Sequence, residues 1–187
     1  KRKIAFLFLV DDHITHEVVW ECFFTNAQPD EFSVYVHQGL GKQIRLGSFF
    51  KARLLPPHET APSSWGWLVP GMNALLRAAL VDVHNTKFIF VSASTLPVKP
   101  FSHVYNVLTA TESSHFCITP SNQWPRQGSR LAIKHHQWVI LSRPHVVQVM
   151  GSGDGYRFPM SAFGINCCED ELAHLAAVLG IPNQTNP

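Results

Sequence analysis

The chain has 187 residues, 45% of them hydrophobic, with 15 basic and 13 acidic side chains and a formal net charge of +2. That length can bury one sizeable core and argues for a single domain, 1–187. The near-balance of charge leaves no field to recruit nucleic acid or an anionic membrane as the main partner.

The opening KRKIAFLFLVDD imitates a signal peptide, with basic residues ahead of an apolar run. The run is short, two acids end it, and no small-residue cleavage site follows, so it reads as a first strand, Ile4 to Val10. No stretch of about eighteen apolar residues is present to span a bilayer. Next, THEVVWECFFTNA carries an apolar stripe at helical spacing through Val18, Val19, Cys22 and Phe23, with Thr15 as the expected N-cap. A second strand follows at Phe32 to His37.

The segment LLPPHETAPSSWGW, rich in Pro and Ser, reads as a loop. VPGMNALLRAALVDVHNT then repeats the helical pattern, with Met72, Leu75, Leu76, Ala79 and Leu80 on one face, ahead of a third strand at Lys87 to Ser92. TESSHFCITPSNQWPRQGSR is a second long loop, and Gln137 to Leu141 a fourth strand. None of the four strands alternates strictly, as expected of strands buried on both faces. Strands separated by helices imply a largely parallel α/β sheet, which binds ligands beyond the carboxyl ends of its strands. The loops after Val10, His37 and Val91 are therefore the places to search.

Several chemistries lack a motif. GSGDG at 151–155 has neither the Lys-Ser/Thr of a P-loop nor dinucleotide spacing, and reads as a turn. No G-x-S-x-G follows a strand. DDHITH and KHHQW offer histidines but no metal-ligand spacing. Cys22, Cys117, Cys167 and Cys168 are too sparse for a disulfide scaffold. In INCCEDELAHL the thiols of Cys167 and Cys168 would be poor nucleophiles beside three carboxylates, which disfavour a thiolate. Those acids, Glu169, Asp170 and Glu171, precede the stripe Leu172, Leu175, Ala176 and Leu179. Acids in a first turn suit the helix dipole, so a purely structural role stands beside a catalytic one.

In order, KIAFLFLV, VVWECFF, FSVYVH, NTKFIFVSASTLPVKPFSHVYNVL, KHHQW and CCEDELAHLAAVL resemble the core-2/I-branching glycosyltransferases, especially their plant-type relatives. The resemblance runs from about Ile4 to Leu179. It implies a GT-A-like, Rossmann-type three-layer α/β sandwich and an inverting enzyme that needs no divalent metal or other cofactor. A UDP-sugar would donate N-acetylglucosamine, or glucuronic acid in plant-type relatives, to a glycan acceptor. The family's x-x-Asp-Glu motif falls on Asp170 and Glu171, making Glu171 the expected catalytic base. Val10, Asp11, His37, Gln38 and Ser94 are the expected nucleotide contacts, and Lys134 and Trp138 the expected acceptor contacts.

There are departures from the pattern. The plant-type Ser-Glu-Ser is Ser92-Ala93-Ser94 here, Thr95 replaces an animal-type Asp, and Gln38 stands where an animal-type Asp contacts the nucleotide. Trp65 matches a family tryptophan and is given a structural role. The family's diphosphate-binding basic residues lie well downstream of the catalytic Glu, yet no Lys or Arg follows Glu171 in this chain. Either the family's carboxyl-terminal portion is lacking from this chain or the leaving-group site has been lost, with Lys134 and Arg143 as the substitutes the chain offers. The family also implies an anchor preceding the chain and a Golgi-lumenal or secretory location. Asn183-Gln184-Thr185, a glycosylation acceptor triplet, leans the same way.

Overall fold

The computed structural model describes residues 1–39, 43–151 and 153–183. Its centre is a four-stranded sheet of β1 (Lys3–Val10), β2 (Phe32–Gln38), β3 (Asn85–Ser92) and β6 (Ile140–Ser142), in the order β2-β1-β3-β6. β1 runs parallel to both β2 and β3, while β6 is antiparallel to β3, so the sheet is mostly parallel as expected. Every residue of β1 from Ile4 to Val10 is buried, because helices cover both faces.

Alternation along β1 divides the core. Ile4, Phe6, Phe8 and Val10 point to one side, where they meet α1 (Glu17–Thr25), α2 (Ser48–Lys51) and α4 (Phe101–Thr109). Ala5, Leu7 and Leu9 point to the other, against α3 (Val69–Leu80), α5 (Arg143–Met150) and α6 (Ala173–Val178). The result is the expected three-layer sandwich. α3 begins with Pro70 in its first turn, where the missing N–H has no helical partner to lose, and it buries Met72, Leu75, Leu76 and Ala79.

Four local expectations are corrected. α1 starts at Glu17 with no side-chain cap, and the Thr15 N–H instead donates to the Ala93 carbonyl (2.8 Å). The buried face of α1 is Trp20, Phe23 and Phe24, whereas Val18 and Val19 are exposed, because the aromatic side chains fill the space over Phe6 and Phe8. The fourth strand is three residues long rather than five, since only Ile140, Leu141 and Ser142 pair with β3. Finally, the second long loop contains a short hairpin of β4 (Arg126–Gln127) and β5 (Arg130–Leu131), and His115 exchanges two backbone hydrogen bonds with Ile140. Helices α4 and α5 had no sequence reading at all.

The acidic trio does not form the first turn of an α-helix. Glu169–Glu171 is a separate 3₁₀ turn, and α6 begins at Ala173. Cys167 and Cys168 are joined by a disulfide, which removes the thiols considered above.

Candidate active site

β1 lies between β2 and β3, so the chain leaves its carboxyl end toward β2 on one side and returns as β3 on the other. A crevice opens at such a switch point. A cleft of about 370 Å³ is found there. Leu9, Val10 and Asp11 line it from the end of β1, His37 and Gly39 from the end of β2, and Ser92, Ala93 and Ser94 from the end of β3. Ser63, Ser64, Trp65, Leu68 and Trp138 form the remaining wall.

Four of the five expected nucleotide contacts, Val10, Asp11, His37 and Ser94, therefore share one cleft, together with the expected acceptor contact Trp138. Gln38 pairs in register with Val10 and is half-buried, but it does not line the cleft. The floor is held by long-range hydrogen bonds. The Gly39 N–H donates to the Val10 carbonyl (2.8 Å) and the Thr15 N–H to the Ala93 carbonyl (2.8 Å), so the segments leaving the three strands are tied together, and the Trp20 indole N–H donates to the Thr95 carbonyl (2.9 Å). Ser92 Oγ bonds Ser94 Oγ and Thr95 Oγ1, which fixes the turn after β3.

His37 is fully buried, with Nε2 within 3.2 Å of the Ala61 N–H and 3.0 Å of the Ala61 carbonyl. Burial pushes its pKa below the usual imidazole range, so it stands neutral in the cleft wall. Its ring also sits over Gly71, where an added Cβ would approach to 3.0 Å.

The three adjacent acids have three different environments. Glu169 is 3% exposed; its Oε1 accepts from Arg157 Nε (2.8 Å) and from the Phe158 N–H (2.8 Å), and its Oε2 from Arg157 Nη2 (2.6 Å). This is a buried, bidentate structural pair, and it corrects the assignment of Glu169 to a first helical turn. Asp170 is 2% exposed, accepts from Gln137 Nε2 (2.6 Å), and has its carboxyl pKa raised chiefly by burial. Only Glu171 reaches solvent: its side chain is 32% exposed and its Oε2 lies 2.6 Å from Lys134 Nζ.

Glu171 is fastened to the segment that ends in the cleft residue Trp138, because its carbonyl accepts the His135 N–H (2.9 Å). The carboxylate itself does not line the cleft, contrary to expectation; Lys134 draws it aside. The pair is partly buried, with side chains 27% and 32% exposed, so solvent screens it only in part. Lys134, expected to contact the acceptor, pairs with this acid.

Arg143 is held at the end of the sheet away from the cleft. Its guanidinium donates to the carbonyls of Leu80, Asp82 and Asn85 at the amino end of β3. That is roughly 23 Å of strand from Ser92. Among the described residues, no group of three or more His, Cys, Asp or Glu is placed to hold a metal ion. Asp12 of DDHITH is instead engaged by His13 and Arg45, which lower its pKa to about 2.

Trp65 is corrected too: it is 90% exposed and forms cleft wall rather than core. Its flanking WGW spacing, with Gly between two aromatics, was the available signal. The Glu169–Arg157 and Glu171–Lys134 pairs join residues 12 and 37 positions apart, and no spacing rule reaches them.

A three-layer α/β sandwich with a mostly parallel sheet and a cleft at its switch point is a GT-A-like, Rossmann-type architecture. Residues 4–136 match the Core-2/I-Branching enzyme family, and the chain belongs to it. It is similar to Glycosyltransferase BC10 of Oryza sativa subsp. japonica, with 27% identity over 163 residues. The match takes in 79% of this chain and 40% of the relative, so the chain spans less than half the relative's length.

Proposed function

We propose that the protein is an inverting glycosyltransferase that moves a sugar from a UDP-sugar to a glycan hydroxyl, without a divalent metal. The observation that carries this reading is the cleft walled by Val10, Asp11, His37 and Ser94, with Glu171 as the one solvent-reaching acid of the neighbouring trio. In the step proposed, a Glu171 oxygen takes the proton of the acceptor hydroxyl as that oxygen bonds to the anomeric carbon. The anomeric C–O bond to UDP breaks on the opposite face, and the electron pair leaves with the diphosphate. Glu171 Oε2 faces Lys134, and acceptor binding competes for that ion pair. N-acetylglucosamine and glucuronic acid are the donor sugars we favour, on the family resemblance.

Metal independence rests on the donor set: among the described residues lining the cleft, Asp11 is the single carboxylate. Location in the Golgi lumen, through an anchor outside the chain, is proposed on family grounds. Among the described residues no helix is long and apolar enough to cross a membrane. Asn183 of the acceptor triplet has its Oδ1 on the Arg157 N–H (2.7 Å), and Gln184 and Thr185 lie outside the described residues.

A second reading, a glycan-binding module without catalysis, is favoured by one observation. Among the described residues lining the cleft there is no Lys or Arg to meet a diphosphate. Calorimetric titration with UDP, followed by assay of UDP release from UDP-N-acetylglucosamine and UDP-glucuronic acid in EDTA, separates the two. Binding and chelator-resistant release are expected. No UDP binding would leave only the second reading, and activity lost in EDTA but restored by manganese would overturn metal independence.

A further inference from the structure

Next to the cleft, sharing Trp65 with it, lies a second groove of about 340 Å³ lined by Trp65, Gly66, Trp67, Arg157, Asn166 and Cys167 among others. Ser64 to Trp67 forms a tight turn: the Trp67 N–H donates to the Ser64 carbonyl (2.9 Å), and Gly66, third in the turn, has φ +75°. That conformation is the one a type II turn demands at this position, and it favours glycine. Trp65, second in the turn, is thereby thrust outward with 90% of its surface exposed.

The turn is backed from beneath. A Cβ placed on Gly66 would lie 2.9 Å from Cys167 Sγ and 3.4 Å from Cys168 Sγ, so the Cys167–Cys168 disulfide packs directly against the glycine. Cys168 leads into Glu169, which binds Arg157, and the Arg157 guanidinium lies 5.7 Å over the Trp67 ring. The indole of Trp65 is therefore presented on a braced support rather than a loose loop. Among the described residues it belongs to neither core cluster.

The charge of the groove restricts its occupant. Among the described residues lining it, Arg157 and Glu169 are the ionisable ones, and they neutralise each other through two hydrogen bonds. An aromatic face, a neutralised ion pair and the Asn166 amide suit an uncharged ring that has one apolar face and hydroxyls on its rim. A pyranose is such a ring.

We propose that Trp65 and this groove bind a neutral sugar residue of the acceptor glycan, stacked on the indole, with the disulfide-backed turn as the positioning element. This rests on the glycosyltransferase reading for the word acceptor, but the sugar contact is measurable without it.

The test titrates the intact protein, by calorimetry and tryptophan fluorescence, with neutral β-linked trisaccharides of glucose, galactose, xylose and N-acetylglucosamine, and separately with UDP. Wild type is expected to bind at least one trisaccharide. Trp65→Ala should weaken that binding by about 10-fold or more, and by a clearly larger factor than it weakens UDP binding, since Trp65 also walls the UDP cleft. Trp65→Phe should retain most of it. Gly66→Ala should weaken it while leaving Trp65 in place, with folding of each variant verified by thermal melting. Unchanged trisaccharide binding in Trp65→Ala, or wild type that binds UDP and no trisaccharide, overturns the proposal. So does an equal loss of UDP binding, which would make Trp65 part of the donor wall. Trisaccharide binding without UDP binding would instead sink the transferase reading and leave the Trp65 contact standing.

Discussion

The two faces of the central sheet are built from different materials. Toward α1, α2 and α4, Phe6 and Phe8 meet Trp20, Phe23, Phe24, Phe50 and Phe101, with edge-on ring contacts such as Phe6–Phe24 and Phe8–Trp20 at 5.0 Å. Toward α3 and α6 the apolar core is interrupted by buried Asn73, His135, Glu169, Asp170 and His174. The buried side-chain atoms that lack a hydrogen-bond partner among the described residues are His37 Nδ1, Asn73 Oδ1, His135 Nε2, Asp170 Oδ1 and both His174 nitrogens. His37 packs against Gly71 of α3, so all of them belong to that second side. Such groups cost stability, and they gather on the side of the sheet that carries His37 of the cleft wall rather than across from it, which is what a functional side looks like.

If the aromatic face only packs, its loss should be a loss of stability alone. Phe6 is 2% exposed and touches four aromatic rings, so Phe6→Ala should cost about 3–5 kcal/mol in denaturant unfolding. UDP affinity of the folded fraction should not change; a specific drop would break the division between the faces. Glu171→Gln is the opposite experiment. It should leave the melting temperature nearly unmoved and lower transfer by about 10²-fold or more, because size and hydrogen bonding persist while the basic oxygen is gone. Near-normal transfer would place the chemistry elsewhere.

Glu169→Gln sharpens the contrast within the trio. Its carboxylate accepts three hydrogen bonds, two of them from Arg157, so losing the charge should cost about 1.5–3 kcal/mol of stability, with activity falling only as folding falls. A melting temperature equal to wild type would mean that the bidentate pair with Arg157 contributes nothing to folding.

This contrast shows what the sequence could convey. β1 and β3 were legible because a strand buried on both faces writes its apolar character continuously, and the chain order of strand, helix and strand pointed to the loops after Val10, His37 and Val91, where the cleft lies. β6 was misjudged because Gln137 and Trp138 look like strand residues, yet they serve Asp170 and the cleft wall. The roles of Arg143, Arg157 and Lys134 were illegible because each is decided by a distant partner. Trp65 was misread because exposure of an aromatic is a tertiary property, set by the turn at Gly66 and the disulfide beneath it.

The smallest effect expected is a slope with pH. His174 is fully buried between Phe90 and His135 with neither ring nitrogen paired among the described residues, and burial, then repulsion from His135, lowers its pKa to about 3. His37 and His135 are lowered as well, chiefly by burial. In the unfolded chain these rings titrate near 6.5. Below that pH the unfolded state takes up protons that the folded state refuses, so stability present above about pH 6.5 is lost as pH falls. Each such ring contributes at most about 1.4 kcal/mol per pH unit. Asp170 acts the other way: its raised carboxyl pKa lets the folded state protonate before the unfolded one, which returns some stability at lower pH. His174→Phe removes one titrating group and its two unpaired nitrogens while keeping a ring against Phe90. Denaturant melts between pH 7 and pH 5 should then show a shallower loss than wild type, with stability at pH 7 equal or higher. An unchanged slope would mean that the His174 ring takes up its proton in the folded protein, and the buried polar side would be wetter than the aromatic side rather than merely more polar.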